Sequence, residues 1–166
     1  GIVNAVNDAA VLDPGAGYLC WKYFGCSSNS GVRIFDNNVI NCYSTGQINR
    51  ANCGGIFGQY AGSTYGNVTA TNCYNTGAII NANSGGIFGQ YAGLTFGIVT
   101  ATNCYNIGNI SGSTCGGIFG PYAGNGSGSV SNAYAINCYS SGNMLSNSGG
   151  IFGPYAGGNG GFTTAL

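Results

Sequence analysis

The sequence predicts an all-β fold, a parallel β-helix (β-solenoid) of about five coils of ~31 residues, with three short strands in each. Three observations predict it. Two short blocks recur at a near-constant spacing of 31 to 34 residues. Glycine interrupts every window in which a helical period could run. Charged residues make up only 4% of the 166 residues, and none lies beyond Arg50.

The first block is Asn-Cys-Tyr, at Asn41-Cys42-Tyr43, Asn72-Cys73-Tyr74, Asn103-Cys104-Tyr105 and Asn137-Cys138-Tyr139. The second is Gly-Gly-Ile-Phe-Gly, beginning at Gly54, Gly85, Gly116 and Gly149. Each second block runs on into X-Tyr-Ala-Gly, which places Tyr60, Tyr91, Tyr122 and Tyr155 at one phase of the repeat. The extra residues of the longest spacing fall in the Gly/Ser/Asn-rich stretch 125–133, as an insertion at an exposed corner would.

Within one unit three strands are expected: 67–75, rich in Val, Thr, Cys and Tyr; 78–80; and 87–91. Glycine at fixed phase is expected to supply the positive φ of each corner. Coils then stack about 4.8 Å apart, so that Asn, Cys, Tyr, Ile and Phe each form a ladder along the long axis. Like charges in such ladders would repel, a physical reason for their absence after Arg50. Strict alternation would put Cys73 with Thr71 and Thr69 on one face, read as inward, and Tyr74 with Asn72 and Ala70 on the other.

A degenerate copy precedes these units. Cys20-Trp21-Lys22-Tyr23-Phe24-Gly25 matches Cys53-Gly54-Gly55-Ile56-Phe57-Gly58 in spacing, and Asn7 falls one residue out of register with the Asn-Cys-Tyr position. Terminal repeats of solenoids are atypical, and all six charges (Asp8, Asp13, Lys22, Arg33, Asp36, Arg50) lie in the first 50 residues. The organisation read from this is an N-terminal repeat or cap over 1–35, solenoid repeats over 36–157 and a tail over 158–166 that could add a strand to a neighbouring subunit. No initiator Met and no charged-then-apolar leader is present, so a processed or partial product is expected.

Taken in order, these motifs resemble the GLUG repeat, whose units read Gly-Gly-Leu-Val-Gly followed by Asn-Ser-Tyr-Ala-Thr-Gly. The resemblance covers roughly residues 40 to 157, with Ile-Phe in place of Leu-Val and Cys in place of the usual Ser. It implies an extracellular or cell- or virion-surface location and a structural or adhesive role, and it brings no catalytic residues with it.

Eight cysteines invite a redox reading. Cys42, Cys73, Cys104 and Cys138 lie on the Asn-Cys-Tyr ladder. Cys20, Cys53 and Cys115 are read as sharing the position before the third strand, where other units have Ser84 and Ser148, and Cys26 stands apart. Three disulfide patterns are open: within a coil (Cys42 to Cys53, Cys104 to Cys115), between ladder neighbours such as Cys42 and Cys73, or Cys20 to Cys26. The alternative is a reduced ladder of small buried hydrophobes. With no His and no Cys-x₂-Cys pair, no zinc site is expected, and no cofactor.

No enzymatic function is expected. Paired-carboxylate hydrolysis needs two closely placed acids, whereas Asp8, Asp13 and Asp36 are the only acids, and Asp13-Pro14-Gly15 reads as a turn. A net charge of zero without a basic cluster excludes the electrostatic footprint of nucleic-acid binding. No apolar run approaches the roughly 18 residues of a membrane span. The recurring Tyr60, Tyr91, Tyr122 and Tyr155 suit either glycan stacking or, preferably, packing between coils. Thr69-Ala70-Thr71 and Thr100-Ala101-Thr102 resemble the Thr ranks of ice-binding solenoids, but in two coils only. Asn67, Asn109 and Asn125 head glycosylation sequons, with Asn125 in the most exposed segment. The leading expectation is a fibre, stalk or filament that assembles head to tail with copies of itself; the runner-up is an adhesin or a stalk that binds surface glycans.

Overall fold

The computed structural model describes residues 4–5, 12–27, 36–126, 128–145 and 147–166. Those residues form a parallel β-solenoid with no helix. Two five-stranded sheets run along its axis. One comprises β1 (Asn4–Ala5), β3 (Tyr43–Ser44), β5 (Tyr74–Asn75), β7 (Tyr105–Asn106) and β9 (Tyr139–Ser140), stacked in that order. The other runs β10 (Phe162–Ala165), β8 (Asn132–Ile136), β6 (Ile98–Thr102), β4 (Asn67–Thr71) and β2 (Asn37–Ile40). A third side is held by single parallel bridges: Gly54, Gly85, Gly116 and Gly149 in one row, and Phe57, Phe88, Phe119 and Phe152 in another.

The described residues make about four turns, slightly fewer than the five coils expected. Every unit pairs residue for residue with the next; Thr69 lies opposite Thr100 and Tyr74 opposite Tyr105. The expected strand 67–75 is cut in two by Asn72, whose φ is +52°. The expected strand 78–80 reduces to a bridge at Ile79, and the third to bridges at Gly85 and Phe88.

Asn72 also corrects the expected facing. Cys73 does point inward, fully buried, but it does so beside Val68 and Ala70, while Thr69 and Thr71 lie on the outside. A left-handed residue inserts half a period, so alternation restarts after it and Tyr74 turns outward while Asn75 is buried. The corners, too, differ in part from expectation. Glycine does supply positive φ at one fixed phase, at Gly25, Gly62, Gly93, Gly124 and Gly157, but the other left-handed positions are non-glycine, such as Asn72, Asn83, Tyr91, Thr95 and Phe96 in the third coil. The repeating Gly-Gly pair has another purpose: a Cβ on Gly86 would fall inside the carbonyl of Gly117 in the next coil.

The interior has two compartments. The larger holds Phe57, Phe88 and Phe119, Ile56, Ile87 and Ile118, the small residues of β4 and β6, and most of the Asn-Cys-Tyr cysteines. The smaller holds Ile48, Ile79, Ile110, Cys53 and Cys115. The phenylalanine rings stack at 4.6, 4.7 and 5.0 Å. Burying each ring contributes roughly 1.5–3 kcal/mol.

The first coil aligns differently from the reading by cysteines. Gly17 pairs with Gly54 and Cys20 with Phe57, so Cys20 takes a Phe position and Ala16 the position of Cys53. Asn4 lies opposite Tyr43; Asn7 lies outside the described residues, as do Asp8 and Arg33. The last segment, 158–166, also differs from a free tail. Phe162–Ala165 pairs with Asn132–Ala135 of its own chain and starts a further coil.

Candidate functional site: stacked ladders and an open end

Stacking in register turns each repeated residue into a column. Tyr23, Tyr60, Tyr91, Tyr122 and Tyr155 stack at 4.9 to 5.1 Å. All five are left-handed, with φ between 60° and 64°. That conformation costs a non-glycine residue roughly 1–2 kcal/mol, and ring stacking returns about 0.5–1.5 kcal/mol. Lys22 Nζ lies 5.3 Å from the Tyr23 ring centroid and 5.7 Å from that of Tyr60. Because each ring covers the next, the inner tyrosines have no free face to offer a sugar; only the two end rings, Tyr23 at 54% and Tyr155 at 66% exposure, present one. Packing between coils accounts for this column.

A second column, Tyr43, Tyr74, Tyr105 and Tyr139, stacks within 2–5° of parallel. Beside it Asn41, Asn72, Asn103 and Asn137 form an exposed amide ladder in which each Nδ2 donates to the Oδ1 of the coil before, at 3.0, 3.1 and 3.4 Å. Inside, Asn75 Nδ2 donates to Asn106 Oδ1 at 2.7 Å and to the Gly77 carbonyl at 2.7 Å, which satisfies a corner. These columns explain Asn-Cys-Tyr residue by residue: Asn bends the chain, Cys fills the core and Tyr stacks outside.

All eight cysteines are free thiols. The pairs expected within a coil, Cys42 with Cys53 and Cys104 with Cys115, lie in different core compartments. Cys26 Sγ donates to the Tyr60 carbonyl at 2.9 Å, while Cys20 sits in the large core. Cys53 and Cys115 are separated along their column by Ser84, whose hydroxyl accepts from the Cys53 N–H at 3.2 Å. Cys42, Cys73, Cys104 and Cys138 stand one above another, each donating to the carbonyl two residues back at 3.3 to 3.4 Å. The neighbouring Cys104 thiol lowers the pKa values of Cys73 and Cys138 to about 7, whereas Cys104 itself is raised, first by its neighbours Cys138 and Cys73 and then by burial. Burial pushes Cys20 up to about 12 and Cys26 up to about 11.

The other sequence candidates are scattered. Asp13 is exposed, and its carbonyl accepts from the Ala16 N–H at 2.9 Å, closing the expected turn. Asp36 is exposed at the entry to β2, where it accepts from Asn67 Nδ2. Asn37 and Asn38, which follow it, are strand residues. Among the described residues no three His, Cys, Asp or Glu side chains are grouped to hold a metal ion. Thr69, Thr71, Thr100 and Thr102 face outward in two adjacent rungs, flanked by Asn38 and Ile40 on one side and Tyr134 and Ile136 on the other. Of the sequon asparagines Asn109 is exposed and Asn67 half-buried, while Asn125, expected in the open, is 4% exposed.

The ends were legible in part. At the C-terminal coil the outer edges of β9 and β10 are unpaired among the described residues, and Tyr139, Met144, Leu145, Tyr155, Phe162 and Leu166 are exposed. A Cβ on Gly150 would meet nothing nearer than Met144 Cε at 3.9 Å, although its equivalents Gly55, Gly86 and Gly117 each face a carbonyl of the next coil. The N-terminal coil is different. Trp21, 62% exposed, is in register with Gly58, where a Cβ would lie 2.5 Å from the Gly15 carbonyl oxygen of the coil before. Neither Trp21 nor Gly150 stood out from the sequence, yet the shared frame Gly17…Tyr23-x-Gly25 and Gly54…Tyr60-x-Gly62 marks Trp21 as the tryptophan in a glycine column. No family model, no curated protein and no solved structure matches this chain.

Proposed function

We propose that the chain is a non-enzymatic structural solenoid of the GLUG type, a segment of an extracellular or surface fibre or stalk that is extended by stacking a further coil on its C-terminal face. The observation that carries this reading is Gly150: a residue bare of a side chain where, among the described residues, a Cβ would meet nothing nearer than Met144 Cε at 3.9 Å. The geometry of the two ends supports a second copy as the source of that coil. Continued in register from β10, a further coil has positions that Asn4–Ala5, Gly17 and Cys20 occupy in the first coil, and the outer edge of β2 carries no strand among the described residues. Seating those residues of a second copy there would set its Tyr23 on Tyr155.

Trp21 sets the direction and the pace. It stands where each later coil has glycine against its predecessor, so the N-terminal face closes onto another coil only when that side chain turns aside. Trp21→Gly is therefore expected to form filaments faster and at lower concentration than the native chain, seen by electron microscopy and light scattering, and Trp21→Gly/Gly150→Ala to form none. A Trp21→Gly chain that stays monomeric at high concentration would overturn end-to-end stacking. The adhesin reading draws no support from the tyrosine column, whose inner ring faces are covered.

A further inference from the structure

We propose that Cys104 and Cys138 are an oxidisable pair, a site at which a small-molecule or protein disulfide would convert two stacked thiols into a staple between the fourth and fifth coils. This inference concerns the chain whose last coil is uncovered, and its readout, a cross-linked peptide, does not depend on filament formation. It rests on register, contact and access together.

The flanking residues fix the register. Thr102 pairs with Ile136 and Tyr105 with Tyr139, so Cys104 and Cys138 lie opposite one another in adjacent coils. Neighbouring parallel strands are about 4.8 Å apart, inside the roughly 4.4–6.8 Å that disulfide-linked Cα atoms span. Contact follows: Cys138 Sγ donates at 3.4 Å to the Ala101 carbonyl of the coil before, and Cys104 Sγ donates at 3.3 Å to the Thr102 carbonyl beside it in the same coil. Access separates this pair from the other rungs. Cys42, Cys73 and Cys104 are buried at 3%, 0% and 0% exposure, whereas Cys138 is half-buried in the less covered last coil. Cys138 is thus the rung a reagent reaches first, and Cys104 is the thiol it finds behind it. The main-chain carbonyls that both thiols face already accept backbone N–H groups of the ladder, as Ala101 and Thr102 do, so oxidation strands no acceptor.

The step balances as an ordinary exchange. The Cys138 thiolate attacks one sulfur of an external disulfide and expels one thiolate, leaving a mixed disulfide on Cys138. The Cys104 thiolate then attacks the Cys138 sulfur and expels the second. The two protein protons go to the two leaving thiolates, so one external disulfide is reduced to two thiols as one internal disulfide forms.

The test is incubation of the native chain with oxidised glutathione, followed by intact-mass measurement and non-reducing peptide mapping. The expected product has lost two hydrogens, carries a Cys104–Cys138 cross-linked peptide, and melts on the order of 10 °C higher than the reduced chain. Cys104→Ser is expected to stop at a stable glutathione adduct on Cys138. A native chain that accumulates that adduct without closing it, or whose first internal bridge joins another pair, would overturn the proposal. The map of the native chain decides the matter even where the variant fails to fold.

Discussion

Asn103 shows how much one residue does in this fold. It holds φ at +52°, passes a hydrogen bond along the exposed amide ladder and resets the alternation that sends Cys104 inward. Asn103→Ala keeps none of the amide bonds and adds left-handed strain, and is expected to cost about 2–3 kcal/mol in urea unfolding. Asn103→Gly loses the bonds but not the conformation, and is expected to cost about half as much. The buried thiols make a second prediction at this scale. Cys20 and Cys26 ionise in the folded chain only near 12 and 11, against an ordinary 9.0, chiefly because burial disfavours the thiolate. The unfolded chain therefore gains thiolate first. The contribution of these two thiols should be flat below pH 9, then fall as pH rises from about 9 towards 12, and Cys20→Ala/Cys26→Ala should flatten that fall in unfolding curves taken across the range. The sequence showed that Asn, Cys and Tyr recur, and that Cys faces inward. It hid the outward turn of Thr69 and Thr71, because a period-two reading has no term for a left-handed residue in the middle of the pattern.

At the scale of the element, position along the stack decides the energy. Phe88 is covered on both faces, by Phe57 at 4.6 Å and Phe119 at 4.7 Å, whereas Phe152 has one ring neighbour among the described residues, Phe119 at 5.0 Å. Phe88→Ala is expected to cost about 3–5 kcal/mol; Phe152→Ala, half-buried with room to relax, about half of that, both read from denaturant midpoints. The same logic explains what was readable in the elements. Columns of identical residues announce themselves by spacing, so the ladders of Phe, Ile and Tyr were legible. The first coil was not aligned correctly, because Cys20 matches Cys53 in type while the backbone matches Gly17 to Gly54 and Tyr23 to Tyr60. In a coil fixed by bridges and corners, the glycine and left-handed tyrosine positions outrank the identity of a core side chain.

For the whole molecule, each coil touches only its neighbours, so stability is a sum of coil terms and interfaces. The third and fourth coils, covered on both sides, should exchange amide hydrogens slowest, and Phe162–Ala165 with the first coil fastest. Gly86→Ala should destabilise the fold severely, since its Cβ would meet the Gly117 carbonyl, whereas Gly150→Ala should leave the melting temperature unchanged. Equal effects of the two in calorimetry would mean that the last coil is covered by something other than a neighbouring coil. Fold class was legible at this scale because the period alone specifies it. What the ends do was not, because an end is defined by the atoms that come next to it.

The column of tyrosines from Tyr155 to Tyr23 has an optical consequence. The single tryptophan, Trp21, stands two residues from its first ring. Tyrosine emission overlaps tryptophan absorption, and rings about 5 Å apart hand excitation along faster than they emit it. Light absorbed anywhere in the column should therefore leave the folded chain as Trp21 fluorescence, and the colour should revert to that of tyrosine as the coils come apart.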